Sequence, residues 1–109
     1  MRKYEVILET TAVLDLYEIF NYITDVLKSP HSAQRVYTSI RNQVLSLDIM
    51  PARFPLVKDE IYALMGVRLM PVENYHVFYI LDDEKNKVRV FRILYNRREW
   101  ENLLFVSEN

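Results

Sequence analysis

Apolar residues in the first half of the chain recur at the spacing of two amphipathic helices. The first stripe follows Thr10 and Thr11, either of which is suited to cap a helix N-terminus, and the second follows Ser29 and Pro30, a typical N-cap and first helical residue. Only a few residues separate the stripes, so the pattern predicts an antiparallel helical hairpin. The stripes comprise Val13, Leu16, Tyr17, Phe20, Ile23 and Leu27 in the first helix and Ala33, Val36, Tyr37, Ile40, Val44 and Leu47 in the second.

The remainder of the chain has the patterning of strands. Pro51 and Pro55 mark the loop after the helical hairpin, because proline does not continue a helix. A polar stretch, residues 82–87, is typical of a hairpin loop between two strands, and residues 97–105 fit a short final helix. The predicted strands are residues 3–8, before the helices, and residues 65–72, 75–81 and 88–95, after them.

The order of these elements predicts one α+β domain over residues 1–109, with an N-terminal strand, an antiparallel helical hairpin, a three-stranded antiparallel meander packed on the helices and a short C-terminal helix. Both faces of the second meander strand are apolar, with Val77 and Tyr79 on one face and Phe78 beside His76 on the other. Because a helical hairpin covers only one face of a small sheet, we expect the C-terminal segment or another chain to cover the second face.

Composition excludes several kinds of site. The chain has 109 residues, no cysteine and one glycine, Gly66, which excludes disulfides, thiolate chemistry and glycine-rich phosphate loops. Three neighbouring carboxylates, residues 82–84, lie on a hairpin loop where they do not converge, so we expect no metal and no cofactor. No apolar run reaches the roughly 18 residues of a membrane span, and the lack of cysteine suits a reducing compartment; we therefore expect a cytoplasmic protein without membrane contact.

Charge is unevenly distributed along the chain. The net charge is −1, but residues 85–98 contain six basic residues and no acidic one. The two lysines of this run are explained as solvated loop residues next to the three carboxylates. Arg92, Arg97 and Arg98 fit that explanation less well, because they follow one another where the last strand ends. They indicate an anionic target or partner at that corner of the sheet.

Three segments carry a pattern that is familiar from one group of proteins. Residues 66–79 read GVRLMPVENYHVFY, residues 90–100 read VFRILYNRREW, and residues 14–23 read LDLYEIFNYI. In the RelE/ParE toxin superfamily, similar segments form the "R-x-L, then N/G-Y-R-V-F-Y" hairpin, the closing strand with its "H-G-x-R-D/E" tail, and the "D-L-x-x-I-x-x-Y-I" first helix. The resemblance extends from about Tyr4 to Leu104 and implies that superfamily's fold.

The resemblance also implies a function, that of the toxin in a type II toxin–antitoxin system, of the plasmid-stabilisation kind. RelE-like members cut mRNA in the ribosome without a metal, ParE-like members inhibit DNA gyrase, and both are neutralised by a cognate antitoxin whose tail wraps the toxin. An apolar sheet face and a basic corner suit an acidic, amphipathic antitoxin segment that orders on binding. The residues expected to bind the target or the antitoxin are Arg68, Arg92, Arg97, Arg98 and Tyr79.

Metal-free RNA cleavage requires a general base, a general acid and cations around the phosphate. His76 replaces the arginine of the "N-Y-R" signature and titrates near neutral pH, which suits an acid or base. Tyr95 stands where many ParE-like members have histidine, and a phenol with a pKa of about 10 is a poor base. If the chain is a nuclease, its catalytic residues are expected to be His76, Tyr95, Arg68, Arg97 and Arg98.

This nuclease set is incomplete, and three hypotheses follow. RelE-like nucleases place lysines on the first strand of the hairpin, whereas here Val67 and Leu69 flank Arg68. The first hypothesis is therefore a ParE-like toxin that inhibits gyrase by binding. The second is a ribosome-dependent mRNA endoribonuclease that uses His76. The third is a non-toxic relative that retains the fold and antitoxin binding; in it, as in the first, His76 is simply a half-buried strand residue.

Overall fold

A four-stranded sheet lies against two helices in the computed structural model, which describes residues 3–96. The sheet has the order β1-β4-β3-β2, in which β1 is parallel to β4 and the other neighbours are antiparallel. None of the helices in the described part of the chain is long and apolar enough to cross a membrane. The strands are β1 (Glu5–Leu8), β2 (Arg68–Val72), β3 (Tyr75–Asp82) and β4 (Lys87–Tyr95).

The helical hairpin is formed by α1 (Thr10–Asn21) and α2 (Pro30–Leu45), and a π-helical turn (Tyr22–Val26) extends α1. Short 3-10 turns follow α2 at Ser46–Asp48 and Pro51–Arg53. Pro30 is the first residue of α2 and Ser29 its N-cap residue, as predicted, although the serine hydroxyl bonds to Ser32 and not to the backbone. The predicted α+β order of strand, helical hairpin and meander is therefore confirmed.

Two details differ from the prediction. Glu9, and not a threonine, occupies the N-cap position of α1, because the hydroxyl of Thr11 donates instead to the carbonyl of Phe91, 2.6 Å away. The strand predicted from residue 65 begins only at Arg68, since a short helix, α3 (Glu60–Leu64), precedes it. Asp59 initiates this helix by accepting hydrogen bonds from two first-turn N–H groups. The predicted final helix lies outside the described residues.

The main core lies between the helical hairpin and one face of the sheet. Ile40 and Val44 of α2 are buried against Val77 and Tyr79 of β3, as the alternation along β3 predicted. Most of the predicted stripe of α2 is buried, whereas much of the stripe of α1 is not. The buried residues of this core are Ala12, Ile23, Ala33, Val36, Ile40, Val44, Leu47, Met70, Val72, Val77, Tyr79, Val88, Val90 and Ile93.

A second, smaller apolar cluster covers the other face of the sheet. Phe78 and Leu94 are buried there together with Val57 and Val67, and the side chains of α3 pack against them. The cover expected from the C-terminal segment or another chain is thus supplied, within the described residues, by the internal segment between α2 and β2. Hydrophobic periodicity did not indicate it, because a helix of five residues is too short to show a stripe.

Candidate functional site

Arg68 and Tyr79 hold the loop that follows α2. They lie directly opposite each other on β2 and β3, on the face that packs against the helices. The guanidinium of Arg68 donates a hydrogen bond to the carbonyl oxygen of Phe54 at 2.7 Å. The hydroxyl of Tyr79 donates one to the carbonyl oxygen of Pro51 at 2.6 Å. Burial raises the pKa of Tyr79 to about 12. The contact of Tyr79 with a partner stays a prediction; in this structure the side chain is fully buried and bonded to the loop.

Arg92 forms a buried ion pair with Asp15 of α1. Its Nε and Nη2 atoms donate to the two carboxylate oxygens at 2.7 and 2.9 Å, and the two residues are only 4% and 7% exposed. A fork of two parallel hydrogen bonds is the strongest geometry available to an arginine–carboxylate pair. The prediction that Arg92 presents its charge to an anionic partner is corrected, because that charge is compensated inside the protein.

The same carboxylate completes the hydrogen bonding of β4. β1 accompanies β4 only as far as Val90, and a bulge at the next residue, Phe91, interrupts the pairing with β3. Beyond this point the edge of β4 faces α1: Thr11 donates to the carbonyl of Phe91, and the N–H of Ile93 donates to Asp15 at 2.9 Å. Side chains of α1 therefore take the place of a strand, as buried backbone groups require partners.

His76 lies on the opposite face of the sheet, in an apolar environment. It pairs with Pro71 and Leu94 on the neighbouring strands, and its ring meets that of Phe78 edge-on at 6.1 Å. Its Nδ1 atom is buried and has no hydrogen-bond partner among residues 3–96. Burial lowers the pKa of the imidazole from its ordinary value. The arrangement favours a neutral histidine.

The described members of the predicted nuclease set do not converge. Tyr95 pairs with Tyr75, their rings 5.6 Å apart, and Tyr75 packs on the helix-covered face. His76 follows Tyr75 in the strand and so lies on the other face. Arg68 shares the face of Tyr95 but lies near the opposite end of β3. Arg97 and Arg98 lie outside the described residues.

The face that carries His76 holds no cation at the positions where RelE-like nucleases have lysines. Val67 is fully buried in the second apolar cluster, and Leu69 is half-buried beside it. Tyr62 and Ala63 of α3 pack against this cluster. At these two positions a phosphate would meet apolar side chains in place of a positive charge.

An apolar groove on the helical hairpin was not predicted from the sequence. Tyr17 is 63% exposed, and Val13 and Leu14 beside it are exposed as well. A cleft of about 420 Å³ opens here, and its lining residues define the hairpin groove: Leu8, Val13, Leu16, Tyr17, Phe20, Gln34 and Tyr37. The signal was present in the sequence, since the apolar residues of α1 span more than the single stripe that its core contacts require.

Comparison with known proteins identifies the family. The model of the ParE toxin of the type II toxin–antitoxin system parDE matches residues 6–100. The chain belongs to the ParE toxin family. A comparison with curated protein sequences finds no match.

Solved structures of toxin–antitoxin systems share the fold of this ParE-family chain. The chromosomal ParDE system of P. aeruginosa superimposes with a TM-score of 0.72 at 20% identity, covering 87% of this chain and 98% of that one. The RelBE2 toxin–antitoxin complex from Mycobacterium tuberculosis superimposes with a TM-score of 0.65 at 21% identity, covering 86% and 99%. The fold predicted from the resemblance is thereby confirmed.

Replacing Asp15 with asparagine in this ParE-family toxin is expected to lower the free energy of unfolding by about 3–5 kcal/mol, because the buried Arg92 guanidinium would lose the charged carboxylate that accepts its two hydrogen bonds. Urea denaturation measures the change. Glu73→Gln, which removes the acid of the exposed Arg35–Glu73 pair, is the matched control and should cost less than about 1 kcal/mol. Equal effects of the two substitutions would contradict a special role for the buried pair.

His76 is expected to titrate below about 6.5, the ordinary pKa of histidine, because its surroundings disfavour the charged form. The unfolded chain then binds its proton at a higher pH than the folded chain does. The stability of the wild-type protein should therefore fall as the pH drops through about 6.5, with the full loss reached below the folded-state pKa. An NMR titration measures the pKa, and His76→Gln should flatten the stability profile. A His76 pKa at or above the ordinary value would refute this assignment.

Proposed function

We propose that this chain is a growth-arresting toxin that acts by binding a large target, DNA gyrase, and that a cognate antitoxin neutralises it by occupying the hairpin groove. The main support for a toxin that acts by binding is the composition of the sheet face around His76. Val67 and Leu69 pack under α3 in place of cations, and Arg68 is turned to the other face to hold a loop. A histidine with apolar residues in place of lysines at these two described positions is a weak basis for RNA cleavage.

The family membership supports the choice of target. ParE-like toxins inhibit gyrase, whereas RelE-like toxins cleave mRNA, and the matching family model is that of ParE. The described positions also favour a binding function, because two residues that the sequence marked for chemistry do not meet. Arg68 is bonded to the carbonyl of Phe54, and His76 lies on the opposite face of the sheet.

The antitoxin surface is supported by exposure and charge. The hairpin groove is apolar and open, which suits the apolar face of an amphipathic helix. Arg41 lies one turn beyond Tyr37 on the same side of α2, and within residues 3–96 its side chain has no ion pair. An acidic residue at the edge of the antitoxin helix would complement it. Both solved neighbours described above come from toxin–antitoxin systems.

Induced expression in a bacterial host should arrest growth, with filamentous cells and DNA breaks but intact mRNA, and the purified chain should inhibit supercoiling by gyrase. His76→Gln is expected to leave this toxicity essentially unchanged, because the imidazole performs no chemistry in a binding toxin. A ribonuclease would instead lose activity by about 10²–10⁴-fold on loss of its acid or base. Rapid loss of translated mRNA would establish the nuclease, and unimpeded growth would indicate the non-toxic relative.

Tyr17→Asp is expected to weaken binding of the protein encoded by the adjacent gene by at least about ten-fold, because a carboxylate would be buried in the apolar groove. Leu64→Asp on α3 is the matched control: Leu64 is 89% exposed and lies outside the groove, so its replacement should leave affinity unchanged. Co-purification followed by calorimetry measures both. If Leu64→Asp abolishes the complex and Tyr17→Asp does not, the antitoxin binds the α3 side and the proposed surface is wrong.

A further inference from the structure

A second open cleft, which we call the tyrosine cleft, shares no lining residue with the hairpin groove. Its volume is about 830 Å³, and it lies between the π-helical turn, the start of α2 and the adjoining ends of β3 and β4. Three aromatic residues line it: Tyr22, Tyr75 and Tyr95. Tyr22 and Tyr95 are 54% and 56% exposed, so about half of each residue is accessible to a ligand. π-helical turns are frequently found at functional sites.

The aromatic rings form one cluster. Tyr75 and Tyr95 pair directly across β3 and β4, and their ring planes are inclined by 78°. Burial, together with the nearby Tyr95, Glu73 and Tyr22, raises the pKa of Tyr75, which keeps this phenol neutral at physiological pH. Neutral tyrosine rings present a negative face that attracts cations.

Among the described residues that line the cleft, one acid, Glu18, has no ion-pair partner. Asp15 is paired with Arg92 on the floor of the cleft, and Arg35 is paired with Glu73 through two hydrogen bonds of 3.0 Å. Glu18 also lines the cleft, and its side chain has no ion pair or hydrogen bond among the described residues. The uncompensated charge of the described lining is therefore negative, which favours a cationic ligand.

Apolar side chains complete the wall next to Glu18. Ile19, Ile23 and Leu27 line the cleft on the side of the helices, and Leu27 is exposed. Such a wall accommodates the methylene stem of a long basic side chain while the charged head reaches the tyrosine rings and the carboxylate. A small inorganic cation has no apolar part that could pack against this wall.

We propose that the tyrosine cleft binds an arginine side chain presented by a partner protein. A guanidinium stacks flat on tyrosine rings and forms forked hydrogen bonds with a carboxylate, so it fits both the Tyr22, Tyr75 and Tyr95 cluster and Glu18. A lysine ammonium would satisfy the carboxylate but is held less well by planar rings. A nucleotide could stack as well, but its phosphate would lie near the unpaired acid. This site is independent of whether the toxin acts on gyrase or on mRNA.

The test is an NMR titration of the full chain, made by cell-free synthesis with ¹³C-labelled tyrosine rings. The probe is N-acetyl-arginine methylamide, and the controls are N-acetyl-norleucine methylamide and uridine monophosphate. We expect the arginine probe to produce saturable shifts of Tyr22, Tyr75 and Tyr95, with no shift of Tyr17, which lies in the hairpin groove. Neither control compound should reproduce them.

Variants identify the groups responsible. Glu18→Gln should weaken the arginine probe by about two- to five-fold, as loss of an exposed ion pair does, while Glu60→Gln, an exposed acid on α3, should not. Tyr95→Leu should weaken it by a similar factor, whereas Tyr95→Phe, which keeps the ring, should retain binding. An unchanged Tyr17 signal shows that each variant is folded.

Four outcomes would overturn the proposal. Absence of saturable shifts with the arginine probe excludes the site. Equal shifts with the norleucine compound would show an apolar cleft with no preference for a cation. Tighter binding of uridine monophosphate would assign the tyrosines to a nucleotide. The proposal would also be contradicted if Glu18→Gln left the affinity for the arginine probe unchanged while Tyr95→Phe lowered it. The proposed recognition requires the carboxylate of Glu18 and the ring face of Tyr95, but not the tyrosine hydroxyl.

Discussion

The carboxylate of Asp15 connects the helical hairpin to the sheet, and much of the architecture depends on it. It accepts hydrogen bonds from the guanidinium of Arg92 and from the N–H of Ile93, at the point where β4 has lost β1 as its neighbour. Without this acceptor, the buried guanidinium would lose two hydrogen bonds and their counter-charge, and the buried N–H of Ile93 would lose its acceptor. The pair therefore fixes α1 along the edge of β4.

The position of α1 determines which surfaces are available for function. With the hairpin held against one face of the sheet and α3 packed on the other, both faces of β3 are largely committed to the two apolar clusters. Two open clefts among residues 3–96 are instead formed around the helices: the hairpin groove on one side and the tyrosine cleft where the hairpin meets the end of β4. The hairpin groove is mainly apolar. In the tyrosine cleft, the two arginines of the lining, Arg35 and Arg92, are each paired with a carboxylate.

The burial of polar side chains explains why binding residues were harder to predict from the sequence than the fold. The sequence shows which residues are charged or aromatic, but it does not show whether their side chains are accessible. Arg92 belongs to a basic run, and only its contact with a residue 77 positions earlier shows that the charge is neutralised. Tyr79 stands in a recurrent motif, yet its hydroxyl serves a loop carbonyl 28 residues away. Such long-range partners leave no local trace in a sequence.

By itself, the sequence determined the order of the elements, the faces of β3 and the family resemblance, because periodicity and short motifs are local properties of the chain. It also marked Ser29-Pro30 as the start of α2 and residues 82–87 as a polar turn. Only the tertiary structure decided that α3 covers the face of His76, that Arg68 and His76 lie on opposite faces, and that the tyrosines at 22, 75 and 95 line one cleft. The physical reason is that burial and pairing depend on which distant segments meet, and that is settled by the packing of the whole domain.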